Sequence, residues 1–127
     1  MLGKRVMCVD DSPIMLAKLK QLIESLGYEV CATVQSGHDA LRLYPELIPD
    51  VVTLDITMMG LDGIETAKQL LAQHPDARIV MVTSHGQQNM VVKALKAGAK
   101  GYVMKPIGAA KLSEHLARAL ELGKVYE

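Results

Sequence analysis

Five side chains able to do chemistry stand directly after short apolar runs. Asp10 and Asp11 follow VMCV (6–9), Asp55 follows VVTL (51–54), Thr83 follows IVMV (79–82), and Lys105 follows YVM (102–104). Asp55 poses the sharpest question, because a carboxylate at the end of a buried run is costly unless something neutralises it. If the first and third runs are neighbouring strands, Asp10, Asp11 and Asp55 converge. Three like charges in one crevice repel and raise one another's pKa. A hard cation relieves that conflict, and all-oxygen ligation with retained water suits Mg²⁺. Asp11 and Asp55 are candidate direct ligands, Asp10 a ligand through water, and a backbone carbonyl after Asp55, such as that of Thr57, completes the shell. Lys105 adds an ammonium and Thr83 a hydroxyl donor. A metal, an ammonium and a hydroxyl around one central carboxylate form an anion-accepting triangle. It suits phosphoryl transfer onto Asp55, where positioning and charge neutralisation do most of the work.

Taken singly, each residue has an ordinary explanation. Asp10 or Asp11 could cap a helix, Thr83 could cap a strand end, Lys105 could be a solvated lysine, and Asp55 could form a turn before Gly60. Those explanations weaken together, because all five residues fall at one edge of one expected sheet.

That sheet follows from the pattern between the runs. Five apolar runs, with VCATV (30–34) as the second, alternate with segments of helical period. Continuous apolarity points to strands covered on both faces. Leu16, Leu19, Ile23 and Leu26 form one helical stripe, with Ser12 as N-cap, Pro13 in the first turn and Gly27 closing it. Ala40, Leu43 and Leu47 mark a second helix, closed by Pro49. Asp62 with Glu65 resembles a capping box for a third, carried on by Ile64, Ala67 and Leu71. Met90, Val91, Ala94 and Leu95 mark a fourth, stopped by Gly98. Leu112, Leu116 and Leu120 mark a fifth, stopped by Gly123. The result is an α/β fold, (βα)5, with a doubly wound parallel five-stranded sheet. Ligands in such sheets bind beyond the carboxyl ends of the strands, where these five residues lie.

The chain has 127 residues, enough for one domain, and half of them are hydrophobic, enough for a core. With no Trp or Phe and eight Met, packing rests on aliphatic side chains and methionine. Fourteen basic residues balance fourteen acidic ones, so no global positive field would hold a nucleic-acid backbone. Cys8 and Cys31 match no zinc spacing and read as buried free thiols in a reducing cytoplasm. No signal peptide and no membrane-spanning run is evident, so a cytoplasmic location is expected.

With these residues in place, the chain resembles the receiver domains of two-component response regulators, the CheY-like proteins. The resemblance is carried by CVDDS (Asp10, Asp11), LDITMMGLDG (Asp55), MVTS (Thr83) and GYVMKP (Lys105), in that order, each after a strand. It spans roughly residues 4–122, the core of a single receiver domain expected over 1–127. It implies the flavodoxin-like strand order 2-1-3-4-5. It implies that a histidine kinase phosphorylates Asp55, that Asp10 and Asp11 hold Mg²⁺, and that Lys105 and Thr83 contact the phosphoryl group. It further implies a cis bond at Lys105-Pro106 and a switch role for Tyr102. There, movement of Thr83 lets the ring turn inward and reshapes the face of helix 4, strand 5 and helix 5. The ordinary alternative for Tyr102 is a partly buried aromatic. Thr57 and His85 lie where the family tunes phosphoryl lifetime, although His85 also reads as a plain loop histidine. One departure stands out: Met59 occupies the place of the family's proline, so a more mobile loop is expected there.

Rival readings fit less well. A haloacid-dehalogenase-type enzyme places a second Asp two residues after its nucleophile, where this chain has Thr57, and needs a cap domain. A flavodoxin-type FMN site cradles phosphate with N–H and hydroxyl groups, where this chain has Asp10 and Asp11. A pseudo-receiver without phosphorylation leaves the complete acidic set unexplained. The expected protein is therefore a phosphorylated switch and not a turnover enzyme on a free substrate. It is a stand-alone receiver or a fragment of a longer regulator. Segment 86–102 looks most like chemotaxis-type single-domain receivers. The implied partners are a histidine kinase and a downstream protein, the flagellar motor or another signalling protein, with no direct nucleic-acid contact. A monomer or a weak phosphorylation-dependent dimer is expected.

Overall fold

A computed structural model describes residues 4–84 and 87–121. Strands and helices alternate along the chain: β1 (Arg5–Val9), α1 (Pro13–Ser25), β2 (Glu29–Val34), α2 (Gly37–Leu47), β3 (Val51–Asp55), α3 (Gly63–Gln73), β4 (Ile79–Thr83), α4 (Gln88–Ala97), β5 (Gly101–Met104) and α5 (Ala109–Glu121). All four strand pairings are parallel and the order is β2-β1-β3-β4-β5, the expected doubly wound sheet.

The apolar runs are continuous because consecutive residues serve opposite faces. From β1, Val6 and Cys8 pack with Leu16, Leu19 and Ile23 of α1 and Leu112 and Leu116 of α5. Met7 and Val9 pack on the other face with Ala40 of α2, Ile64 and Leu70 of α3 and Ala94 of α4. β1, β3 and β4 are covered on both sides. The two edge strands depart from that expectation. Of β2 only Val34 is buried, and β5 alternates buried Gly101 and Val103 with exposed Tyr102 and Met104.

Helix boundaries follow local chemistry. Ser12 caps α1, its hydroxyl accepting from Met15 N (3.2 Å), and Pro13 opens the helix. Gly27 (φ 97°) follows its end and Gly98 (φ 119°) caps α4. Asp62 caps α3 by accepting from Glu65 N (2.8 Å), but Glu65 bonds Gln69 and not the cap, so only half of the expected box forms. In α3 Leu70 is buried and Leu71 only partly so. In α4 Ala94 alone is buried, Met90 and Val91 are partly so, and Leu95 is exposed, so the expected stripe is narrower than its spacing suggests. α2 ends at Ile48 in the left-handed region (φ 44°), just before Pro49, and carries Pro45 within its last turn. Gly123, the expected stop of α5, lies outside the described residues.

Cys8 is buried, and burial pushes its thiol up to about 11. Cys31 corrects the expectation of two buried thiols: it is half-buried, at the residue where the β1–β2 register slips between Val6/Val30 and Met7/Ala32.

Candidate functional site: an acidic pocket at the strand ends

Register assembles the pocket. Val9 pairs with Leu54, so the next residues, Asp10 and Asp55, leave the sheet side by side. Asp55 in turn pairs with Val82, which sets Thr83 one residue further along the next strand. Thr83 pairs with Met104, and Lys105 N donates to Thr83 O (2.8 Å), holding the lysine at the same edge. The Lys105-Pro106 peptide is cis, as the resemblance implied.

The three expected carboxylates do converge. Asp10, Asp11 and Asp55 each offer an oxygen within 4.8 Å of the others. Asp10 and Asp55 are buried and Asp11 is exposed. Lys105 Nζ lies 3.3 Å from Asp55 Oδ1 and 3.4 Å from Asp10 Oδ2. Burial, and then the charge of Asp10, push the Asp55 carboxyl up to about 6, although Lys105 opposes both. Burial works against the Lys105 ammonium, yet Asp55 and Asp10 outweigh it and hold its pKa above the ordinary lysine range.

One ammonium against three carboxylates leaves the pocket short of positive charge once all three are ionised. Asp10 Oδ1 accepts from Ser12 N (2.9 Å), but Asp10 Oδ2 is buried and accepts no hydrogen bond. A buried carboxylate oxygen with no hydrogen bond, facing an ammonium at 3.4 Å that Asp55 shares, fits a further cation, and a set made only of oxygens fits a hard one.

The backbone around Asp55 is held by contacts that the sequence did not announce. Gly63 N donates to Ile56 O (2.9 Å), and a Cβ on Gly63 would stand 2.0 Å from Asp55 O. Only glycine lets the first turn of α3 come this close to the acceptor's backbone. Met59 N donates to Asp11 Oδ2 (3.2 Å). A proline at 59 has no N–H to make that bond, so Met59 adds a contact to the acidic set where the family's proline would fix φ. The Met59 side chain itself is 85 % exposed.

Thr83 is buried, but its hydroxyl does not serve a carboxylate. It donates to Gln87 Oε1 (2.9 Å). Gln87 Oε1 also accepts from Ser84 N (2.7 Å), and Gln87 Nε2 donates to Thr57 Oγ1. Thr57, on the loop after β3, is thus tied to the end of β4. Gln87 was missed because no spacing rule flags a glutamine whose contacts depend on the path of two loops. His85 lies outside the described residues.

Tyr102 is 39 % exposed, its ring tilted 36° against His115 with centroids 5.9 Å apart. Beside it a cavity of about 260 Å³ opens between α4 and β5, lined by Thr83, Gln87, Val91, Leu95, Tyr102 and Met104 among others.

Comparisons with known proteins agree with this geometry. Residues 6–117 match the response regulator receiver domain family. The chain is 43 % identical to the chemotaxis protein CheY of Thermotoga maritima over 115 residues, 91 % of this chain and 96 % of that protein. It is 38 % identical to Bacillus subtilis CheY over 119 residues, 94 % of this chain and 99 % of that one. Among solved structures it superposes on a receiver domain from Clostridium thermocellum with a TM-score of 0.89 at 30 % identity, covering 94 % of this chain and 96 % of that one. It also superposes on a chain of the CheX–CheY–BeF3–Mg²⁺ complex of Borrelia burgdorferi, with a TM-score of 0.85 at 31 % identity, covering 96 % and 90 %. The strand order, the converging aspartates and the strand-end lysine thus have one common reading: the chain belongs to the response regulator receiver family of two-component signalling, and within it is CheY-like.

Proposed function

We propose that this protein is a phosphoacceptor switch, with Asp55 receiving a phosphoryl group from the phosphohistidine of a histidine kinase. The observation that carries this reading is the convergence of Asp10, Asp11 and Asp55 within 4.8 Å, with Lys105 Nζ at 3.3 Å from Asp55. In the transfer an Asp55 oxygen attacks phosphorus, the bond from phosphorus to the donor breaks, and the donor leaves with the electron pair. Asp10, Asp11, Asp55 and the Thr57 carbonyl would hold Mg²⁺, which would supply charge neutralisation of the phosphoryl oxygens. Lys105 binds one of those oxygens, so its ammonium follows the new charge as it builds. Thr83 donates its hydroxyl to another. Thr57 and His85, at the sequence positions where the family tunes phosphoryl lifetime, influence the attacking water that ends the signal. The protein assists its own phosphorylation and dephosphorylation and turns over no free substrate.

The signal passes on by docking. Val92, Leu95, Tyr102 and Met104 are exposed apolar side chains on α4 and β5, an unusual share of apolar surface for one small face. The cavity beside Tyr102 offers room for its ring to turn inward, which couples that face to Thr83. A downstream protein of the chemotaxis type is the partner that the CheY relatives suggest, and a cytoplasmic location suits it. Among the described residues no helix is long and apolar enough to cross a membrane.

The test is intact-mass measurement after incubation with acetyl phosphate and Mg²⁺. One added phosphoryl group is expected in the wild type and none in Asp55→Asn or in EDTA. An unmodified wild type, or a variant that still gains the mass, sinks the proposal.

A further inference from the structure

The three contacts of the Gln87 carboxamide determine which atom carries which proton. Ser84 N–H can only donate, so the end of the amide facing it (2.7 Å) is the oxygen. The nitrogen end then faces Thr57, whose Oγ1 accepts. The oxygen end has no proton to give, so Thr83 Oγ1–H is the donor in the 2.9 Å contact between them. A threonine hydroxyl has a single proton. In the resting chain that proton has Gln87 Oε1 at 2.9 Å and, at longer range, Ser84 O at 3.3 Å as acceptors, and a phosphoryl oxygen on Asp55 must draw it away from them.

Gln87 is also free of the task its position suggests. It is the N-cap residue of α4, yet its side chain makes no capping bond to that helix. The half-buried carboxamide instead ties the end of β4 to the loop after β3 and lines the cavity beside Tyr102.

We infer, building on the phosphoacceptor reading, that Gln87 is a positioning residue: a latch that holds the Thr83 hydroxyl and Thr57 in the resting state and gives up Thr83 when Asp55 is phosphorylated. No covalent bond changes in this step; the Thr83 proton stays on its oxygen and changes acceptor. The latch opposes activation by the strength of one neutral hydrogen bond. Because Ser84 N–H stays with Gln87 Oε1, the start of α4 remains joined to β4 as Thr83 turns away.

The experiment measures beryllofluoride affinity in saturating Mg²⁺ by NMR titration. Beryllofluoride on a carboxylate stands in for the acyl phosphate. Four proteins are compared: wild type, Gln87→Met, Thr83→Ala and the double variant. Met keeps the length of the side chain and loses all three amide contacts. Gln87→Met is expected to bind about 2- to 10-fold more tightly than wild type, the equivalent of one neutral hydrogen bond that need not be broken. In the Thr83→Ala background the same substitution is expected to change affinity less than about 1.5-fold, because the contact to the Thr83 hydroxyl is already gone and those to Ser84 N and Thr57 are not given up on binding. A purely structural role for Gln87 would act alike in both backgrounds. Equal or weaker binding by Gln87→Met, or equal tightening with and without the Thr83 hydroxyl, overturns the latch while leaving the phosphoacceptor reading intact. A wild type that binds no beryllofluoride overturns both. Gln87→Ala, run beside Gln87→Met, gives the same comparison if the methionine variant folds poorly, as judged by its urea midpoint.

Discussion

β3 and β5 bring functional residues to the same edge of one sheet, yet they are built differently. Every residue of β3 is buried, and Asp55 ends it with its backbone pressed against Gly63. β5 lies at the sheet's margin and shows Tyr102 and Met104 outward, beside an α4 that buries Ala94 alone. The acceptor thus rests on backbone that has no room to move, whereas the proposed docking face rests on an edge with a cavity under it. A phosphoryl group needs its partners held to a fraction of an ångström, while a switch needs an element with a second arrangement available at small cost. One sheet supplies both by placing the first in its centre and the second at its margin.

The largest effect that separates the two regions is on stability. Leu54, fully buried in β3, is expected to cost about 2–5 kcal/mol when replaced by alanine, through lost burial and the cavity left behind. Leu95, 40 % exposed on α4, is expected to cost less than about 1 kcal/mol for the same change. Urea unfolding of the two variants checks this. Comparable losses would mean that α4 and β5 are packed as firmly as the centre, and the contrast would fall.

The centre was more legible in the sequence than the margin, for a physical reason. Residues such as Asp10, Asp55 and Lys105 stand directly after apolar runs, and in a parallel sheet every run ends at the same edge. Their juxtaposition therefore needs only the strand order. Gln87, Gly63 and the Met59 N–H reach the site by way of loops, whose course no periodicity records. The edge strands misled for a related reason. The YVM run at 102–104 looks continuous and so reads as covered on both faces, but its place at the margin leaves Tyr102 and Met104 partly open to solvent. For α4, an i, i+3, i+4 pattern marks an apolar face without saying how much of it finds a partner. Met59 shows the same limit: losing a proline frees φ, but spacing does not reveal that the restored N–H bonds Asp11.

A second prediction sharpens the contrast through pH. Burial, and then the charge of Asp10, push the Asp55 carboxyl up to about 6 in the folded chain from 3.8 when unfolded. Between those values the native state keeps a proton that the unfolded chain has lost. The stabilisation from protonated Asp55 is therefore complete below about pH 4 and is lost as pH rises through about 6. Above that, ionised Asp55 burdens the fold. In EDTA at pH 7.5, Asp55→Asn is expected to be more stable than wild type by about 1–3 kcal/mol, the gain shrinking toward pH 4. Adding Mg²⁺ should narrow the gap, because a cation bound only to the native wild type stabilises it. Urea midpoints measured across pH, with and without Mg²⁺, decide the matter. An Asn variant less stable than wild type at pH 7.5 in EDTA would show that the pairing with Lys105 outweighs burial and the repulsion from Asp10.

The smallest expected effect concerns the tether at the mouth of the pocket. Asp11 is the exposed member of the acidic set, so its side chain is the one with rotamers to lose when a cation binds. The bond from Met59 N to Asp11 Oδ2 holds it toward Asp10 and Asp55 in advance. Preorganisation of this kind raises affinity by reducing what binding must still order. Met59→Pro removes the N–H and is expected to weaken Mg²⁺ binding about 2- to 5-fold, the scale of one exposed hydrogen bond. Met59→Ala keeps the N–H and removes only a side chain that is already in solvent, so its Mg²⁺ affinity should match that of wild type. Calorimetric titration of the three proteins distinguishes two roles for the same bond. Weaker binding by the proline variant alone means that the tether arranges Asp11 for the cation. Tighter binding by it means that the N–H competes with the cation for Asp11 Oδ2, in which case the mouth of the pocket, unlike its floor, would be held against its own ligand.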